Sequence, residues 1–262
     1  MGIVQPAVVA GMFYPADPEQ LRSDIRRYIS HANAVTTTPP KALIVPHAGY
    51  IYSGPIAGNA YALLASLTDR ISRVVILAPA HRVAFSGIAY ASATVFRTPL
   101  GGIEVDLKAL DSIIGLPQLQ LLDSAFREEH SIEVHLPFLQ EMLADFKIIP
   151  LLVGDATATE VDEVLESLWG GNETLILISS DLSHYLSYDA AREMDREATK
   201  AIESLRPDQL SYHHACGRTP VSGLLLAARR HHLKVATLDL RNSGDTAGTR
   251  DRVVGYGAYA LS

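Results

Sequence analysis

Ile44-Val-Pro-His-Ala-Gly-Tyr-Ile-Tyr-Ser-Gly54 decides how the chain is read. The apolar run that begins at Ala42 stops at Pro46, which has no N–H to give a sheet ladder. His47 follows at once, then Gly49, two tyrosines, Ser53 and Gly54. The pattern is that of a buried strand handing a histidine to a glycine-rich loop. It returns where Arg73-Val-Val-Ile-Leu77 runs into Ala78-Pro-Ala-His-Arg82. A further apolar run, Thr174-Leu-Ile-Leu-Ile178, ends in the polar cluster Ser179-Ser-Asp-Leu-Ser-His-Tyr185. Lys147-Ile-Ile-Pro-Leu-Leu-Val153, ended by Gly154-Asp155, is a further apolar strand.

Helical patterns fill the intervals. Asp17 caps the first helix, Pro18 suits its first position, Gln20 completes a capping box, and Leu21, Ile25, Tyr28 and Ile29 form its apolar face. Further helices are expected at about 55–67, 106–114, 161–169 and 188–204, with a short one at 207–213 and one ending at His231. A dense polar loop, 127–135, leads into a helix reaching about residue 144, with Pro137 near its start. Residues 90–96, 235–240 and 253–261 read as strands, 99–102 as a turn, and 36–40 as a breaker too short to link domains. Strands alternating with helices from end to end predict one α/β domain over residues 1–262, with a mostly parallel central sheet flanked by helices.

The 262 residues suffice for a sizeable core, and 48% apolar with 19% charged residues is an ordinary globular balance. A net charge of −7 argues against a general binder of nucleic acid or anionic membranes. One cysteine, Cys216, excludes an internal disulfide. The N-terminus lacks the basic and long apolar regions of a signal peptide, Pro6 breaks a myristoylation pattern, and no run is long enough to span a bilayer. A cytoplasmic protein is expected.

In open parallel sheets, ligands bind at the carboxyl ends of the strands. His47, His81, and Asp181 with His184 stand at three such ends, and neighbouring strands lie only about 5 Å apart. If these strands are neighbours, their side chains reach one ion or one substrate. His31, His213, His214, His231 and His232 read as ordinary surface histidines, the last two at a helix C-terminus where positive charge is favoured. His130 and His135 do not have the H-E-x-x-H spacing of a zinc protease. Glu133 between them either orients a ligand histidine or joins Arg127, Glu128 and Glu129 in a salt-linked helix start. Asp181 also suits a turn cap. Tyr50 and Tyr52 either line a pocket or pack. Cys216 alone reads as a small buried hydrophobe. There is no G-x-S-x-G elbow and no Walker A loop, and no helix follows the G-x-G-x-x-A match at 255–260.

Six motifs occur in order: Ala7-Val-Val-Ala-Gly-Met-Phe-Tyr-Pro15; Pro46-His-Ala-Gly-Tyr50 with Tyr52-Ser-Gly54; Pro79-Ala-His-Arg82; Glu129-His-Ser-Ile-Glu133 with His135-Leu-Pro137; Ser179-Ser-Asp-Leu-Ser-His184; and Cys216-Gly-Arg218. From about residue 7 to the C-terminus the chain resembles the Memo family (mediator of cell motility), whose prokaryotic members are often called Memo-like or AmmeMemoRadiSam system protein B. The resemblance implies a fold like that of class III extradiol dioxygenases, which hold Fe(II) with two histidines and a glutamate and use another histidine as acid/base. It implies His47 and His81 as metal ligands, with Cys216 in the carboxylate's place, and His184 as the acid/base histidine or an additional ligand; in an enzyme, His184 oriented by Asp181 would carry the proton. His135, Glu133 and Tyr50 would shape the pocket. A mixed histidine–cysteine set also suits zinc or copper.

Two functions follow from the resemblance. One is an iron-dependent oxidoreductase acting with O2 on a small phenolic or other chelating substrate. The other is a scaffold on a retired enzyme fold that captures a peptide or anionic ligand through Arg82, Arg218 and the histidines. The resemblance also implies AMMECR-type and radical-SAM proteins as partners.

Overall fold

The computed structural model describes residues 2–33 and 38–262; Met1 and residues 36–37 of the expected breaker lie outside them. The chain runs β1 (Val4–Gln5), α1 (Pro18–Ser30), β2 (Ala42–Val45), α2 (Tyr50–Tyr61), β3 (Arg73–Pro79), β4 (Ile88–Tyr90), β5 (Val95–Thr98), β6 (Gly101–Glu104), α3 (Leu107–Asp111), β7 (Leu119–Leu121), α4 (Asp123–Phe126), α5 (Leu136–Met142), β8 (Lys147–Val153), α6 (Ala158–Ser167), β9 (Thr174–Ser179), β10 (His184–Leu186), α7 (Tyr188–Glu203), α8 (Arg218–Arg230), β11 (Val235–Asn242) and β12 (Val253–Leu261). This is the expected α/β architecture. No helix among the described residues is long and apolar enough to cross a membrane.

The large sheet has the order β10-β12-β2-β9-β3-β8-β4-β7, with β11 also paired to β12. Its centre, β2-β9-β3-β8, is parallel throughout. The flanks make the sheet mixed, because β12 joins β2 and β4 joins β8 in antiparallel fashion. Every residue of β2 and β9 is buried, the continuous apolar reading of strands covered on both faces. The step from β2 to β3 and the step from β8 back to β9 run in opposite directions along the sheet. Right-handed crossovers therefore put α2 and α6 on opposite faces. α1 and α5 pack with α2, and α8 packs with α6 and against β3 and β9.

Three local expectations change. The segment after His47 is not a glycine-rich loop: α2 begins at Tyr50 and contains Pro55, and a 3-10 turn continues it over Ala62–Leu67. Residues 90–96 are not one strand; β4 joins the large sheet and β5 a small one with β1 and β6. The capping box of α1 is half made, since Asp17 accepts the Gln20 N–H but the Gln20 side chain turns to Asp24.

What matters for the site is the place of β9. It lies between β2 and β3, with Val45 opposite Ser179 and Leu77 opposite Ile178. All three are parallel, so all three end on one side of the sheet. The neighbour relation that the sequence reading had to assume is the one observed.

Candidate functional site

Each strand end is tied to the next before any side-chain chemistry begins. Ser180 N–H donates to the Val45 carbonyl at 3.0 Å, and His47 N–H donates to the Asp181 carboxylate at 2.8 Å. The β2 and β3 backbones stand two strand spacings apart, about 10 Å. The His47 and His81 rings reach across that gap to a centroid distance of 5.1 Å. Cys216 arrives from the other direction, just before α8. Its Sγ lies 3.5 Å from His47 Nε2, and its N–H donates to the Asp181 carbonyl. One donor atom each from His47, His81 and Cys216 lies within 4.8 Å of the others.

The approach of Cys216 depends on Gly217. A Cβ there would meet the Ser179 carbonyl at 2.5 Å and Ser180 Cβ at 2.6 Å. Gly217 N–H also donates to Ser180 Oγ at 3.0 Å. The end of β9 and the start of α8 are thus in contact through a residue without a side chain.

The surroundings set the charge states. Burial, then the nearby His81, His130, His135 and His184, hold the His47 imidazole well below its ordinary pKa, so it is neutral near pH 7. Burial, followed by the Asp181 charge, pushes the Cys216 thiol up to about 12 in the metal-free protein. Burial also raises the Asp181 carboxyl above its ordinary range, against the pull of His184 and of the His47 N–H. Neutral imidazoles and a thiolate are the donors that first-row divalent cations take, so Cys216 would give up its proton on binding. Bonds of about 2.0 Å to nitrogen and 2.3 Å to sulfur at a tetrahedral ion put donors about 3.3–3.8 Å apart. The Sγ–Nε2 distance of 3.5 Å already fits that span.

Two cavities flank Cys216. The larger, about 450 Å3, is walled by Ala80, His81, His184, Tyr185, Met194 and His213 among others. The smaller, about 290 Å3, includes Phe85, Asp155 and Arg218. Tyr212, 79% exposed, borders both, and Tyr185, 63% exposed, stands at the larger one. Tyr185 takes a φ of +60°, a strained backbone for a residue with a side chain. A larger cavity, about 550 Å3, lies elsewhere, against α1 and β11, and holds none of these residues.

The structure gathers His47, His81, Cys216, Asp181, His184 and Arg218 around this place, and leaves other candidates outside it. The Asp181 carboxylate accepts from His47 N–H, and His184 stands exposed on β10, close enough for its charge to pull on Asp181. Glu133 does not orient a histidine. Its carboxylate accepts from Val8 N–H, Val9 N–H and Tyr14 Oη, and so pins the segment before α1. Tyr50 packs in the core against Tyr14 and Phe138 and donates to the Val134 carbonyl. His135 is buried, with Nδ1 against Tyr61 Oη and no partner for Nε2. Arg82 is exposed and lines neither cavity beside Cys216.

Sequence reasoning passed over three residues that the geometry brings in. Glu129, 5% exposed, accepts from His81 N–H at 2.5 Å, from His81 Nδ1 at 3.0 Å, and from His130 and Ser131 N–H. Burial raises its pKa, but the His81 contact and these N–H bonds outweigh that and bring it to about 2. His130 stacks on His81 at 5.2 Å and lies 5.6 Å from His47, and its Nδ1 has no hydrogen-bond partner. Ser179 touches His47 Nδ1 at 2.6 Å. Glu129 and His130 stand in one of the six motifs and Ser179 in another, but the motifs do not say which ring each one meets. His213, read as an ordinary surface histidine, stands on the wall of the larger cavity.

Comparison with known families matches residues 5–260 to the family described as Memo-like protein. A MEMO1 family protein of Methanosarcina mazei is 36% identical, over 100% of both chains. One of Sulfolobus acidocaldarius is 34% identical over 97% of this chain and 98% of that protein. One of Aquifex aeolicus is 34% identical over 98% of each. Matched across almost its whole length, and at least 34% identical to each of these three relatives, this chain belongs to the Memo family.

Proposed function

We propose that His47, His81 and Cys216 hold one divalent first-row transition-metal cation, Fe(II) in the working protein, and that the chain is an oxidoreductase using O2 on a small phenolic or other chelating substrate. The observation that carries this reading is the convergence of two imidazoles and one thiol at the ends of β2 and β3 and the start of α8, beside a cavity of about 450 Å3. That volume suits a small ring-bearing molecule. Bound iron supplies a redox-active Lewis acid at this point. The chain's own residues do the rest. His47 is buried and neutral, so its lone pair is available near pH 7. Asp181 fixes the His47 backbone rather than moving a proton. His184, on the cavity wall, is the imidazole placed to accept a proton from a substrate hydroxyl. Copper or zinc at the same donors is the alternative metal reading.

Metal content of anaerobically prepared protein tests this. About one iron per chain is expected in the wild type, with loss of at least tenfold in His47→Ala and Cys216→Ser. Wild-type protein that retains no iron, copper or zinc after incubation with each would refute the reading. A second reading, capture of a peptide without catalysis, is favoured by the exposed Tyr185 and Tyr212 at the cavity mouth and by Arg218 beneath Tyr212. Peptide affinity unchanged in His47→Ala would select it.

A further inference from the structure

We propose that Ser179 and Glu129 are positioning residues that hold His47 and His81 in the Nδ1–H tautomer, so that both rings present a bare Nε2 beside Cys216 before any cation arrives. This deepens the metal reading above and rests on it for its purpose, though not for its test.

The argument for His47 counts protons. Ser179 has one hydroxyl proton, and its Oγ lies 2.7 Å from the Ser131 carbonyl, which can only accept. The proton is therefore on that side. The same Oγ lies 2.6 Å from His47 Nδ1, so this contact is a hydrogen bond only if Nδ1 carries the proton. The reverse arrangement would leave two acceptors facing each other at 2.7 Å in a residue that is fully buried. A neutral ring with Nδ1–H has a bare Nε2, and that atom faces Cys216 Sγ at 3.5 Å.

The argument for His81 is parallel. Glu129 takes N–H bonds from three backbone amides, and an ionised carboxylate only accepts. Its contact with His81 Nδ1 at 3.0 Å therefore needs a proton on Nδ1. Nε2 is the atom left to complete the group with His47 and Cys216. Metal-bound histidines are commonly oriented through the other ring nitrogen in this way. Here the two holders come from different places, the end of β9 and the loop before α5, so neither ring depends on the other for its tautomer.

The test reads the tautomer directly in metal-free full-length protein. Imidazole 15N long-range correlation spectra, recorded at about pH 8 where ordinary histidine is neutral and assigned with His47→Ala and His81→Ala, are expected to show protonated Nδ1 and bare Nε2 for both residues. A protonated Nε2 on either ring overturns the proposal for that ring. In Ser179→Ala, His47 is expected to shift toward Nε2–H, and Zn2+ affinity to fall about ten- to hundredfold. A residue that only supports the fold would weaken binding without changing the tautomer. If that variant does not fold, the wild-type spectrum still decides. Wild-type protein with the expected tautomers but no metal affinity would sink the metal reading and leave the tautomer assignment standing.

Discussion

Gly217→Ala puts a methyl group where β9 and α8 meet, and its consequence for the proposed donors His47 and Cys216 can be worked out. The new Cβ would sit 2.5 Å from the Ser179 carbonyl, against 3.4 Å for ordinary contact. The start of α8 must therefore retreat by about 0.9 Å, because the nearest opposing atom is the backbone carbonyl of Ser179 in a fully buried strand and Ser180, beside it, is buried too. Carried through to Cys216, the retreat takes the Sγ–Nε2 distance from 3.5 Å to about 4.4 Å. One nitrogen and one sulfur bond laid end to end span about 4.3 Å, so Cys216 and His47 would no longer share an ion without re-closing the gap. We expect a stability loss of about 1–3 kcal/mol and metal affinity reduced about ten- to hundredfold. The assay is Co2+ titration of anaerobic protein, following the thiolate-to-cobalt charge-transfer band. Gly223→Ala on the same helix is the control, since its Cβ would crowd Val161 at 2.3 Å, on α6 and not at the strand ends. If both variants weaken Co2+ binding equally, or Gly217→Ala keeps the wild-type band and affinity, the reasoning is wrong.

Two further expectations concern the protein without metal. Burial holds His130 at about 4 and His135 at about 3, below the ordinary value of 6.5. The unfolded chain takes up protons that the folded chain refuses, so this contribution is fully present above pH 6.5 and is lost as pH falls toward the folded values. The loss should be about 2 kcal/mol per histidine between pH 7 and 5, read as a lower urea midpoint, and smaller in His135→Gln; a midpoint independent of pH over that range would contradict the burial described. Glu133→Ala removes the acceptor of two backbone amides and of Tyr14 Oη, and should cost about 2–5 kcal/mol. The amides of Val8 and Val9 should then exchange with solvent much faster, and unchanged exchange would show that Glu133 does not hold that segment.

The central strands were legible because they are short, continuously apolar and rich in β-branched residues, and burial on both faces leaves no other reading. The strand-end histidines were legible for the same reason, since a proline and a polar cluster stop each run abruptly. The helix expected at about 55–67 is there, but its first turn, 50–54, reads as loop because glycines surround it. Their cause lies outside their own segment: a Cβ at Gly54 would come 2.6 Å from the Tyr28 ring, and one at Gly58 would come 2.7 Å from the Tyr28 carbonyl. They are glycines because α1 lies against the helix. The choice between Glu129 and Glu133 could not be made from spacing. Both flank His130 in a polar loop, and only the path of the chain turns one toward His81 and the other toward Tyr14. Ser179 opens one of the motifs, but nothing in a strand's last residue reveals which neighbour's ring it will meet.

The position of β9 between β2 and β3 has a consequence for the order of events in the chain's life. His47 and His81 come early in the sequence, but the strand that stands between them begins only at Thr174, and Cys216 comes later still. The open side of β2 is closed by β12, whose Leu261 pairs with Ala42. If the proposed group takes a cation, a chain that stops before Cys216 lacks one donor, and one that stops before Thr174 also lacks the strand that aligns the two histidines. On that reading an ion would report that segments far apart in the chain, the ends of β2 and β3 and the start of α8, have met across β9.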